Sequence, residues 1–129
     1  MAADIWISAL ILLVSGAVLV AIGRKQNSGT LERNWLAGVR TRETMRSDAA
    51  WHAAHTATAR LIIGAGIVPI VAGAAILVLR PTDDATIATT VLGSLGVTLA
   101  LAVTAGVQGH RIARHINDSD ADDHTHDDV

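Results

Sequence analysis

The residues whose types and spacing could do chemistry in this chain lie between positions 34 and 55: Asn34, Trp35, Gly38, Arg40, Thr41, Thr44, Ser47, Trp51 and His55. Together they read N-W-x-x-G-V-R-T-x-x-T-x-x-S-x-x-x-W-x-x-x-H. A guanidinium such as that of Arg40 is planar, always charged and suited to gripping a carboxylate or phosphate through two parallel hydrogen bonds. If Gly38-Val39-Arg40-Thr41 turns back on the helix that follows, Arg40 lies near Trp51 and His55. Cation–π contact there would contribute about 0.5–2 kcal/mol of local order. Trp51, His55 and Thr58 stand at i, i+4 and i+7, which places them on one helix face. The expected chemistry is recognition: a surface that docks a partner, or a structural motif that shapes one. For Arg42 and Arg46 the plainer use is attraction to anionic lipid headgroups, worth on the order of 1 kcal/mol each. Trp35 and Trp51 would then be interfacial anchors.

Catalysis is not expected. His52 and His55 could project from one helix, but two histidines do not fill a tetrahedral shell, and the chain has no cysteine to complete it. His124-x-His126, set among aspartates, could take a divalent cation only weakly. No Ser–His–Asp order, H-E-x-x-H run or glycine-rich phosphate loop is present. Neither a metal nor a cofactor is expected, and nothing points to direct nucleic-acid binding.

The elements that must position this cluster follow from where charge is missing. Half of the 129 residues are hydrophobic, and residues 5–23, 61–79 and 85–109 contain no charged side chain. A helix needs about 20 apolar residues to cross the hydrocarbon core of a bilayer. Three spans are therefore predicted, at about 5–23, 61–79 and 85–108, in an all-α integral membrane bundle. A secretory signal would open with basic residues and end at a small-residue cleavage site. Met1-Ala2-Ala3-Asp4 has no base and the first block runs into Arg24-Lys25, so a retained span is expected. Seven of the ten bases lie between residues 24 and 60, giving that loop a net charge of +4. Lys/Arg excess in short loops marks the cytoplasmic side. The loop is thus expected inside, the N-terminus and the 80–84 hairpin outside, and the C-terminus inside, in a multi-pass protein of the plasma membrane.

Between these blocks the local signals are clear. Ser47 is a good N-cap and Asp48 suits the positive end of a helix dipole. The alanines of 49–59 are strong helix formers, so a stalk over 48–60 should run unbroken into the second span. Pro69 lies four residues after Ala65 in that span and predicts a kink, tolerated where a neighbouring helix satisfies the freed carbonyl. Span three carries Gly93, Gly96, Gly106 and six hydroxyl residues, expected to pack within the bundle. The membrane domain is read as 1–109. The segment 110–129, with six aspartates, is expected to be an acidic His/Asp-rich disordered tail.

The cluster resembles the SdpI-like family of small bacterial membrane proteins, whose signature is a Gly-(Ile/Val)-Arg-Thr core, a following Thr and Ser, then Trp and His before a hydrophobic helix. Those positions here are Gly38, Val39, Arg40, Thr41, Thr44, Ser47, Trp51 and His55. Family members often have Pro after the Arg-Thr pair, where this chain has Arg42. The resemblance implies a membrane immunity or signal-relay protein. Such a protein neutralises a secreted membrane-active toxin peptide, or docks a cytoplasmic transcriptional regulator, through the 34–55 loop. The rival expectation is a structural or accessory subunit, packed through its spans in a homo-oligomer or a larger membrane complex.

Overall fold

The computed structural model describes residues 2–28 and 41–126, with side chains over 3–28 and 41–123. Three helices make up the described chain: α1 (Ala2–Ser28), α2 (Asp48–Leu79) and α3 (Asp84–His126). Each is long and apolar enough to cross a membrane. The protein is an all-α membrane bundle of three helices.

The ends of the helices obey their capping residues. Ser47 has extended backbone, φ −150° and ψ 157°, and its Oγ accepts a bond of 3.1 Å from the Ala50 N–H. From there α2 runs through the stalk and into the apolar block without interruption, Pro69 included. Its last carbonyls close on Arg80, whose N–H donates to the Ile76 carbonyl at φ +45°. This left-handed residue turns the chain sharply into Pro81. Asp83 then opens α3 by accepting from the Thr86 N–H at 2.7 Å.

Helix α2 is central: α1 packs along one side, α3 along another, and α1 and α3 scarcely touch. The α1–α2 seam is built on small residues. Ala9, Gly16 and Gly23 repeat every seven positions on α1, and Ala59, Gly66 and Gly73 do so on the antiparallel α2. A Cβ on Gly16 would sit 2.5 Å from the Gly66 carbonyl oxygen, and one on Gly66 would sit 2.6 Å from that of Gly16. The two backbones meet where only glycine fits, the close approach that small residues permit between membrane helices. Toward the hairpin end, Ala9, Leu12 and Ile76 close the seam as a buried apolar cluster.

Helix α3 departs from expectation twice. A Cβ added to Gly93, Gly96 or Gly106 would meet nothing within 4 Å, so these glycines do not serve packing inside the bundle. Thr89, Thr90 and Thr104 donate to carbonyls four residues back in their own helix. Only the buried line of α3 faces α2. The second departure is length, for the helix continues to His126 instead of yielding to a disordered tail after 109. The physical reason lies in Ala105, Gly109, Ala113 and Asn117. They recur every fourth residue and are all buried, which carries the packed face well beyond the apolar block.

Candidate functional site

The stalk of α2 stands between the end of α1 and the extension of α3. Four of the predicted cluster residues, Asn34, Trp35, Gly38 and Arg40, lie outside the described residues. The other five, Thr41, Thr44, Ser47, Trp51 and His55, come together at the start of α2.

The turn before α2 is held by its own side chains. Thr41 Oγ1 accepts from the Thr44 N–H at 3.2 Å, while the Thr41 N–H donates to Thr44 Oγ1 at 2.9 Å. This is the reciprocal arrangement of a capping box, with Thr44 in the place usually held by Glu. The Met45 N–H closes the turn onto the Thr41 carbonyl at 3.1 Å. Three residues later Ser47 caps α2, so two hydroxyl caps in succession bend the chain into the stalk.

One helical turn further on, Trp51 and His55 stack, with ring centroids 3.9 Å apart and planes 29° apart. His55 Nδ1 lies 2.7 Å from the Trp51 carbonyl oxygen. Thr58 Oγ1 donates to the Ala54 carbonyl at 2.8 Å. The one-face arrangement of Trp51, His55 and Thr58 is present, but that face is buried: their exposures are 0%, 1% and 0%, and that of Thr44 is 0%. Trp51 is therefore not an exposed interfacial anchor, and a partner meets this face only through what surrounds it.

Three residues outside the predicted cluster complete the site. Asn117 of α3 is buried and donates through Nδ2 to the Glu43 carbonyl at 3.0 Å and to Glu43 Oε2 at 2.9 Å. Its Oδ1 accepts from Ser47 Oγ at 3.3 Å. The hydrogen bond from Asn117 lowers the Glu43 carboxyl below its ordinary value of 4.5, against a smaller opposing effect of burial and with help from Arg46, His110 and Arg114. Gln26, near the end of α1, is 1% exposed, and neither side-chain amide atom has a hydrogen-bond partner among the described residues. Its backbone carbonyl accepts from Thr56 of the stalk at 3.3 Å. A sequence signal existed for Asn117, which ends the four-residue repeat of small residues from Ala105. Gln26 stands three positions after Gly23 on the seam face, and Glu43 carries no such mark.

Outside this buried layer the turn is cationic. Arg42 and Arg46 line an open cleft of about 680 Å³ with Glu43 and Met45. The Arg46 guanidinium is 3.9 Å from Glu43, with 60% of its side chain exposed, a geometry in which an ion pair adds little stability and leaves the charge available. Among the described residues no group of three His, Cys, Asp or Glu side chains could hold a metal ion.

Neither the curated proteins nor the solved structures contain a match to this chain. A family model does match: that of the SdpI/YfhL protein family covers residues 30–108, from the predicted cluster through span two to the end of span three. With that match over more than half its length, its cluster residues at the head of α2 and three helices fit to cross a membrane, the chain belongs to the SdpI/YfhL family.

Proposed function

We propose that this is a non-catalytic immunity or signal-relay protein of the bacterial plasma membrane, with its N-terminus outside and its C-terminus inside. The observation that carries the reading is the Trp51–His55 stack, buried in a stalk that extends beyond the uncharged block of α2. An aromatic pair fixed there adds nothing to crossing a bilayer, since the apolar blocks are sufficient for that. Such a pair does hold a loop in one shape. The buried threonines and the stacked rings form the scaffold, and Arg42 and Arg46 are the part of the described turn that a partner meets. Their charge suits an acidic surface on a cytoplasmic transcriptional regulator, or the headgroup zone in which a secreted toxin peptide would be engaged. Lipid remains the solvent of all three spans.

In-cell crosslinking of tagged protein, read by mass spectrometry, tests this. Wild type is compared with Trp51→Ala/His55→Ala and with Arg42→Gln/Arg46→Gln. Loss of the same soluble regulator or secreted peptide from both variants is the expected result. Unchanged partners in both variants remove the loop from the function.

One observation favours a second reading. Gly93, Gly96 and Gly106 lie open on α3 beside exposed Leu92, Leu99 and Val103. A helix of another subunit could approach closely there, as in an accessory subunit or a homo-oligomer. In the same experiment that reading predicts membrane-protein partners retained by both loop variants and lost on Gly96→Leu.

A further inference from the structure

The residues that hold the turn before α2 from the other side lie beyond the family match, which ends at 108. Ala113 is fully buried against Ala50 and Ala54 of the stalk, with Ile116 packed beside them. One turn on, Asn117 makes three hydrogen bonds to the chain between Glu43 and Ser47. Ser47 is the hinge of this arrangement. Its hydroxyl caps α2 and touches Asn117, and its carbonyl accepts from the Trp51 N–H at 3.0 Å. A path of direct contacts therefore runs from the extension of α3 to the buried Trp51–His55 stack.

We propose that residues 110–117 are a clamp on the stalk, with Asn117 its positioning residue, and that docking of this clamp sets whether Trp51 and His55 are closed in. The proposal deepens the reading of the stalk site as the working part of the molecule and rests on it. Asn117 suits the task because a carboxamide donates and accepts at once. It gives two N–H bonds to Glu43 and takes one from Ser47, a combination that neither Asp nor Leu can make. Small residues at 109 and 113 let α3 lie close enough for Asn117 to reach. Asp118, Asp120, Asp122 and Asp123, which follow the clamp, are exposed. Around Glu43 the charged groups are Arg46 on the turn and His110 and Arg114 on α3, all favouring its ionised form.

The absence of cysteine from the chain makes the test clean. In full-length protein in membranes, Ala50→Cys and Ala113→Cys are introduced as a pair, and disulfide yield reports docking. In parallel, Trp6→Phe and Trp35→Phe leave Trp51 as the single fluorophore, and acrylamide quenching reports its shielding. Asn117→Leu should lower the yield at least about fivefold, the scale of 1 kcal/mol in an equilibrium, and expose Trp51 to quencher. Asn117→Asp should behave likewise at pH 7.5 and recover toward the parent near pH 5. There two facing carboxyls can share a proton, a behaviour that general misfolding would not show. Yields are taken relative to the parent at the same pH, which removes the effect of thiolate chemistry. Equal yields in all three proteins overturn the clamp, as does Trp51 staying shielded when the clamp is open. Failure of Asn117→Asp to recover overturns it too. The reading of the site fails separately, if replacing Trp51 and His55 leaves partner capture intact.

Discussion

Thr98 Oγ1 on α3 donates a hydrogen bond of 3.1 Å to the carbonyl oxygen of Ala65 on α2. Ala65 is the residue whose carbonyl would have bonded the N–H at position 69, and position 69 is proline, which has none. The third helix thus supplies, from a threonine, the donor that the second gave up. Thr98 reaches across the interface, whereas Thr89, Thr90 and Thr104 bond within their own helix. Thr98→Val should lower stability in detergent by about 1 kcal/mol, the scale of interhelical side-chain bonds in membranes. In a Pro69→Ala background the local N–H is restored and most of that cost should vanish. A double-mutant cycle on reversible unfolding checks this, and equal costs in both backgrounds would falsify the pairing.

The glycine seam predicts opposite fates for glycines that look alike in sequence. Gly16→Ala places a methyl 2.5 Å from a backbone oxygen, and backbone cannot step aside as a side chain can. It should cost about 1–3 kcal/mol, the range for overpacking a tight interface. Gly93→Ala meets open space and should leave the single chain's stability unchanged or slightly raised. Thermal unfolding of the two variants side by side reads the difference.

Acid should loosen the turn before α2. The folded pKa of Glu43 is lowered, so its contribution is present above the ordinary carboxylate value and is lost as pH falls through the lower folded value. Fluorescence of Trp51 as the single tryptophan, followed from pH 7 to 3, should show a transition at the acid end. Glu43→Gln keeps an acceptor for Asn117 but removes that titration, and should leave only the change due to His55, which stacks on Trp51 and whose pKa is lowered by burial. Asp83 is also lowered, first by its bond to Thr86, and lies at the opposite end of α2. Asp83→Asn should therefore leave the signal from Trp51 unchanged.

Ser47 serves two helices through one hydroxyl. Loss of an N-cap side chain costs about 1 kcal/mol. Ser47→Ala also removes a bond to Asn117, so its cost should exceed that of losing the α3 cap, measured as Asp83→Ala, whose carboxylate accepts from the Thr86 N–H of its own helix. Urea or thermal unfolding of the two variants decides it, and equal costs count against a shared role for Ser47.

Much of this molecule is legible in its sequence. Uncharged blocks of 19, 19 and 25 residues require three spanning helices, because backbone polar groups in lipid must bond within their own segment. Ser47 announces a helix start by chemistry that acts within three residues. Even the need for a neighbour at Ala65 is written in Pro69, since a missing N–H is a local fact. Which residue answers that need was decided in three dimensions, as was the choice of Gly16 and Gly66 over Gly93 and Gly96 for the seam. An apolar helix carries small residues on several faces at once, and lipid exerts no preference that would mark one of them in the sequence. The same holds at the stalk. The spacing of Trp51, His55 and Thr58 puts them on one face, but whether that face meets solvent or is closed over depends on what packs beside it. Asn117 lies 70 residues from Ser47 and among aspartates whose composition alone argues against folding. Its order comes from three hydrogen bonds and a buried line of small side chains, contacts that exist only once α3 lies against α2.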